Sequence, residues 1–223
     1  MYQGLLGLCT WCRLTFLLGV CTLIGACALE RLEPLAAKTQ PNAAGDAGYL
    51  LVSITREAGS NAWVEYRPLS GESRPLNARG VGFFASSDDF KDDETRSGRL
   101  MFIELESGHY ELTNWRLVAH SAIHNDRAIG PAALPGIPFF ILPGEVTYVG
   151  NAHVDVVRQA SGLPVEFQAL VNAGITISDR STRDVAMFRE RYVEFANVPV
   201  RVNVKTDPEW DLRVQLALSL IHI

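Results

Sequence analysis

From residue 49 onward the chain is a succession of short β-branched and aromatic runs, broken by turn residues about every ten positions. The runs are 49–55 (YLLVSIT), 62–69 (AWVEYRPL), 80–85 (GVGFFA), 99–105 (RLMFIEL) and 110–118 (YELTNWRLV). They continue with 137–142 (IPFFIL), 146–157 (VTYVGNAHVDVV), 163–170 and 173–178. In the second run Trp63, Glu65 and Arg67 alternate with Val64, Tyr66 and Pro68, and Pro68 ends it because proline cannot donate to a ladder. Many short strands at even spacing predict a mainly β protein, a sandwich or barrel, of which an antiparallel β-sandwich is the expected form. Ser107-Gly108 and Pro143-Gly144 are expected to close antiparallel hairpins, 100–105 with 110–118 and 137–142 with 146–157.

One helix is expected near the C-terminal end. Ser181-Thr182-Arg183-Asp184 resembles a capping box with Asp in the place of Glu. Val185, Phe188 and Tyr192 then share one helical face, with Met187 beside it. This helix should pack on an edge or end of the sandwich, and 195–204 should return as a strand. The segments SGHYELTNW and IPFFILPGEVTYVGN resemble hairpins of prealbumin-like and immunoglobulin-like sandwiches in bacterial lipoproteins. That resemblance covers about half of the domain and implies a fold, which does not by itself imply a function.

The N-terminus carries the address. Arg13 precedes an apolar run from Leu14 to Ile24, the pattern of a secretory signal. Ile24-Gly25-Ala26-Cys27 follows and resembles the lipobox of bacterial lipoproteins, which implies lipidation at Cys27. Read as an uncleaved anchor instead, the apolar stretch 14–29 offers about 16 residues where a spanning helix wants roughly 20. The expected organisation is a signal peptide at 1–26, a lipidated N-terminus and flexible tether at 27–48, and a sandwich domain at 49–217. Residues 30–48 (ERLEPLAAKTQPNAAGDAG) have the Ala, Pro and Gly content of a tether. Ala28 rather than Asp after the cysteine implies, by resemblance to enterobacterial sorting, the outer membrane facing the periplasm. The last six residues, LSLIHI, resemble a translated sequencing-adapter end. Residues 218–223 are therefore expected to be a non-biological tail, which takes His222 out of any site, although they would also serve as a short final strand.

Composition narrows the chemistry. The net charge is -5 and the charges are interspersed, so there is no basic stripe of the kind nucleic acid needs. The four cysteines are Cys9, Cys12, Cys21 and Cys27, so the domain after Cys27 can hold neither a disulfide nor a thiolate metal site. The Cys9-x-x-Cys12 pair falls in the segment expected to be removed.

The candidate ligands are weak by spacing. His120 and His124 stand four apart, as zinc ligands do on a helix, but in a segment that reads as strand and Gly/Pro loop, with no HExxH glutamate. His153 with Asp155, and Asp126, could join them if folding brought them together; His109 reads as an ordinary histidine. Asp88, Asp89, Asp92, Asp93 and Glu94 could hold calcium, but Lys91 interrupts them and the EF-hand glycine is missing, so a solvated loop is the expectation. No G-x-S-x-G, phosphate loop or dinucleotide fingerprint occurs. Trp63 and Trp115 are expected on strands, where an outward indole could stack on a sugar ring and an inward one would fill the core. The resulting expectation is a lipid-anchored cell-envelope protein, not an enzyme and without a cofactor. Its sandwich would be a binding or structural module, with the membrane as one partner through the lipid and an envelope protein or polysaccharide as another. A metal-dependent protein using His120, His124 and His153, and a carbohydrate-binding module, are the alternatives.

Overall fold

Two kinds of strand follow from two kinds of apolar pattern. In a computed structural model of the chain, residues 39–41, 45–57, 60–69, 74–77, 89–90, 96–119, 127–158, 170–211 and 214–215 are described, all within one compact unit, Leu32–Ile223. Strands β1 (Ala47–Glu57) and β4 (Arg96–Glu106) carry consecutive buried residues, Tyr49 to Ser53 in one and Leu100 to Ile103 in the other. A strand can bury successive residues only if both faces of its sheet are covered, since neighbours point to opposite sides. By contrast β2 (Ser60–Pro68) buries Ala62, Val64 and Tyr66 and leaves Trp63, Glu65 and Arg67 facing outward. That is a strand with one covered face.

The strands sort accordingly into two sheets. The mixed sheet contains β1, β4, β8 (Val146–Arg158), β9 (Leu170–Ser178), β10 (Val200–Val202) and β11 (Val214–Gln215). Its order is β11-β9-β8-β1-β4, with β10 also beside β8. The expectation of an antiparallel sandwich is corrected here: pairing is parallel between β1 and β8 and between β10 and β8, and antiparallel elsewhere. The second sheet is antiparallel and contains β2, β3 (Arg74–Asn77), β5 (Gly108–Ala119), β6 (Arg127–Ile129) and β7 (Ile137–Ile141). Side chains from both sheets interleave in one core that includes Leu50, Val52, Ile54, Val64, Tyr66, Met101, Ile103, Trp115 and Val154. Trp210 closes this core, buried, with its indole N–H donating to the Pro135 carbonyl at 2.8 Å.

Both expected hairpins are corrected. β4 pairs with β1 while β5 pairs with β2, β6 and β7, so Ser107-Gly108 carries the chain from one sheet to the other. Pro143-Gly144 does the same between β7 and β8, with Gly144 at φ +68°. A glycine there licenses a sharp change of direction, and the apolar pattern of the flanking strands decides which sheet each joins. RLMFIEL needs cover on two faces and HYELTNWRL on one; strands so different do not share a sheet.

The helix is corrected too. Helix α1 (Ser181–Arg191) lies across the outer face of the mixed sheet rather than on an edge or end. Phe188 and Tyr192, with Phe195 of the following 3-10 turn (Val193–Phe195), pack on Tyr49, Leu51, Phe102, Val146 and Tyr148. Phe102 is the hub, with ring centroids 4.7–5.3 Å from those of Tyr49, Phe188, Tyr192 and Phe195. Residues 195–204, expected as one strand, form the end of that turn, a loop and the three-residue β10. Arg189 holds the loop by donating to the carbonyls of Phe195, Ala196 and Val198. The architecture is therefore three layers: antiparallel sheet, mixed sheet, helix.

The expected strand 80–85 and residues 1–38 lie outside the described residues, as do 163–169 of another expected strand, although Leu170 opens β9. Residues 216–223 also lie outside them.

Candidate functional site

A β-bulge sets up the one extended group of buried polar side chains among the described residues. Leu51 faces Tyr148 on β8, and two residues on, Ser53 faces Asn151, so β8 uses one residue more than β1 over that step. The extra residue is accommodated at Gly150, whose φ of +118° disfavours any side chain. Before the bulge, outward residues of β8 are Val146 and Tyr148; after it they are Asn151, His153 and Asp155, with Ala152 and Val154 turned into the core. If β8 ran through the same residues without the bulge, strict alternation would send Asn151 and His153 into an apolar core.

The result is a chain of hydrogen bonds across the outer face of the mixed sheet. Asp184 of α1 is fully buried. One of its oxygens accepts from the Ser53 hydroxyl at 2.5 Å and the Tyr148 hydroxyl at 2.6 Å. Its other oxygen is held by the Arg183 guanidinium at 2.8 Å, which also lies over the Phe90 ring. A buried carboxylate is tolerable only with such partners. Ser53 in turn accepts from the Asn151 amide at 2.7 Å, and Asn151 and the Thr55 hydroxyl are 3.2 Å apart by either amide atom. Thr55 Oγ1 is 2.9 Å from His153 Nδ1, and His153 Nε2 is 3.0 Å from Asp155 Oδ1. Burial first, and the hydrogen bond to Asp184 second, raise the Tyr148 hydroxyl far above the ordinary tyrosine range.

Asp184 was expected to serve a capping box. Instead Arg180 is the N-cap residue without a side-chain cap, and Asp179 Oδ1 accepts the Ser181 N–H at 2.8 Å. Hydrogen bonding from Ser181, first from its side chain and then from this N–H, lowers the exposed Asp179 carboxyl. The Asp184 side chain turns to the sheet.

Asp155, His153 and Thr55 stand in the order acid, imidazole, hydroxyl, each within hydrogen-bond reach of the next. Such a series can make a hydroxyl nucleophilic when a carbonyl can approach it. Here Thr55 is 1% exposed and its oxygen is already shared with Asn151. The geometry is that of a structural network.

The other sequence candidates fall as follows. His120, His124 and Asp126 lie outside the described residues, as do Asp88, Asp92, Asp93, Glu94 and Cys27. Asp89 is described, and its carboxylate joins two elements. Oδ2 accepts the Leu100 N–H at 2.8 Å and Oδ1 takes Arg191 of α1 at 2.7 Å, a bond that raises the arginine. His109 is exposed, edge-on to Phe140 at 4.5 Å between centroids. Among the described residues no three His, Cys, Asp or Glu side chains gather as metal ligands would. No described helix is long and apolar enough to cross a membrane. Trp115 is core, whereas Trp63 sits half-buried on the outer face of the antiparallel sheet. Ion pairs Arg116–Glu65 at 2.9 Å and Arg67–Glu111 at 2.5 Å share that face.

Fold and network together define a mainly β protein of two packed sheets with a helix welded to one of them by a buried acid. No protein-family model matches the chain, and no curated protein does. Among solved structures it is similar to a leucine-rich repeat protein from Bacteroides thetaiotaomicron, at 13% identity over 48% of this chain and 14% of that one. The TM-score of that match is 0.29, and it carries no argument here.

Proposed function

We propose that the chain is a lipid-anchored protein of the bacterial cell envelope whose sandwich is a non-catalytic binding or structural module. The observation that supports the second half is the commitment of its buried polar chemistry. The Thr55 hydroxyl is inaccessible and shared, and both Asp184 oxygens are taken, one by Ser53 and Tyr148 of the sheet and the other by Arg183 of its own helix. The lipid anchor rests on Ile24-Gly25-Ala26-Cys27 at the end of the apolar run. The sandwich type follows the resemblance of SGHYELTNW and IPFFILPGEVTYVGN to prealbumin-like and immunoglobulin-like domains. Metabolic labelling with a palmitate analogue tests the anchor. Incorporation should be lost in Cys27→Ala with accumulation of the precursor, and equal labelling of the variant would refute it.

A carbohydrate-binding role is the second reading, favoured by the outward position of Trp63 beside two self-neutralised ion pairs. An aromatic face among paired donors and acceptors suits an uncharged sugar ring. Trp63→Ala should then abolish pull-down by cell-wall polysaccharide; undiminished pull-down excludes this reading.

A further inference from the structure

We infer that His153 is a proton-responsive switch whose protonation reverses the hydrogen bonding of Thr55 and Asn151 and leaves the Asp184 latch untouched. The argument rests on counting donors. Asp155 accepts at Nε2, so Nε2 carries a proton in the neutral ring and Nδ1 is an acceptor. The Thr55 hydroxyl must then donate to Nδ1 across 2.9 Å, and its oxygen receives the Asn151 Nδ2–H across 3.2 Å. Asn151 cannot be turned the other way round, because the Ser53 hydroxyl gives its single proton to Asp184 and needs an amide donor from Asn151 at 2.7 Å.

When His153 takes a second proton, Nδ1 becomes a donor. The Thr55 oxygen now accepts from the ring, and its hydroxyl rotates to give its proton to Asn151 Oδ1, also at 3.2 Å. Every heavy atom stays where it is. Asn151 exchanges a donated bond for an accepted one on its Thr55 side, while its bond to Ser53 has the same direction in both states. Asn151 thus absorbs the reversal, and Ser53, Asp184 and Tyr148 do not take part in it.

The ring meets Thr55 from β1 and Asp155 from its own strand, Asn151 stands behind Thr55, and the exposed Thr176 of β9 lies opposite it. Behind the network lie the charges of Asp184 and Arg183 of α1, reached through Ser53, and Arg56 follows Thr55 on β1. The His153 side chain is itself 13% exposed and that of Asp155 37%, so both face solvent. Imidazole is the side chain whose charge ordinarily changes near neutrality, which makes the ring the member of this network able to reverse it.

The test is nuclear magnetic resonance on the full chain in detergent, with 15N in histidine and asparagine. At alkaline pH the His153 ring should be the Nε2–H tautomer. On acidification Nδ1 should gain the proton, and the Asn151 side-chain amide resonances should move with the same midpoint. An Nδ1–H tautomer at high pH, or an Asn151 amide that stays still through the histidine titration, overturns the inference. Thr55→Val keeps the shape and removes the hydroxyl. In that variant His153 should still titrate while the Asn151 amide loses its pH dependence, and a persisting amide shift would also overturn it.

Discussion

The Asn151 amide lies 2.7 Å from the Ser53 hydroxyl across 98 residues of sequence, and the bulge at Gly150 is what turns it that way. β1 and β8 are parallel there, so the two side chains meet only because β8 has gained a residue and reversed its alternation. A Cβ at Gly150 would also stand 3.1 Å from Ile177 Cγ2 and 3.2 Å from Val204 Cγ1. Gly150→Ala should therefore destabilise the fold by about 1–2 kcal/mol from the backbone alone. A urea-unfolding midpoint equal to the parent's would show that the strand register has another cause.

Asp184 is the acceptor on which Ser53, Tyr148 and Arg183 depend. Asp184→Ala should cost about 3–5 kcal/mol, since it strands buried donors under the helix. Tyr148→Phe removes one bond together with its donor and should cost roughly 1 kcal/mol. A double-mutant cycle between the two checks the geometry: non-additivity is expected, and strictly additive losses would mean that the residues do not meet.

Stability should fall in alkali. The folded protein keeps the Tyr148 hydroxyl protonated at a pH where the unfolded chain, near the ordinary value of about 10, loses the proton. The folded state then binds more protons than the unfolded one, so this contribution is intact below about pH 10 and declines as pH rises beyond it. Tyr192, raised chiefly by burial, acts in the same direction. Denaturation midpoints measured from pH 8 upward should drop, and Tyr148→Phe should flatten the decline.

Phe102 touches four aromatic neighbours on the helix side of the mixed sheet. Phe102→Ala should cost about 3–5 kcal/mol through the cavity it leaves. Amide hydrogen exchange should show α1 losing protection before the antiparallel sheet does. Uniform loss of protection would indicate that the helix and the two sheets unfold as one unit.

The strands were legible because period-two patterns and turn residues are local signals. AWVEYRPL announced its one-sided burial through Val64 and Tyr66, and the structure places it accordingly. The partition into sheets is also written in the residues, in the apolar run inside RLMFIEL, whereas a glycine turn between two strands is compatible with either a hairpin or a crossing. The helix was recognised by Phe188 and Tyr192. Its docking was not, because the covering face of β1 and β4 is defined only once the sheets are sorted. The polar network was the least visible part. Ser53, Thr55 and Asn151 look like ordinary strand residues, and Asp184 looks like a cap. Gly150 inside a strand was the available signal, since an interior glycine marks a bulge. The place of Trp210 is not a local signal, because its partners, Pro135 among them, lie far away in sequence.

Both sheet-crossing corners are laced to the first residues of β1. The Ser107 N–H donates to the Asp46 carbonyl, the Gly144 N–H to the Ala47 carbonyl, and the Tyr49 N–H to the Glu145 carbonyl. A chain tugged from its amino end would deliver the force at this knot, along a strand flanked on both sides by long ladders. Bonds loaded along the strand direction must yield together rather than one after another like a zipper. Under the proposed anchor, the domain would hang by this strand, where many bonds share the load at once.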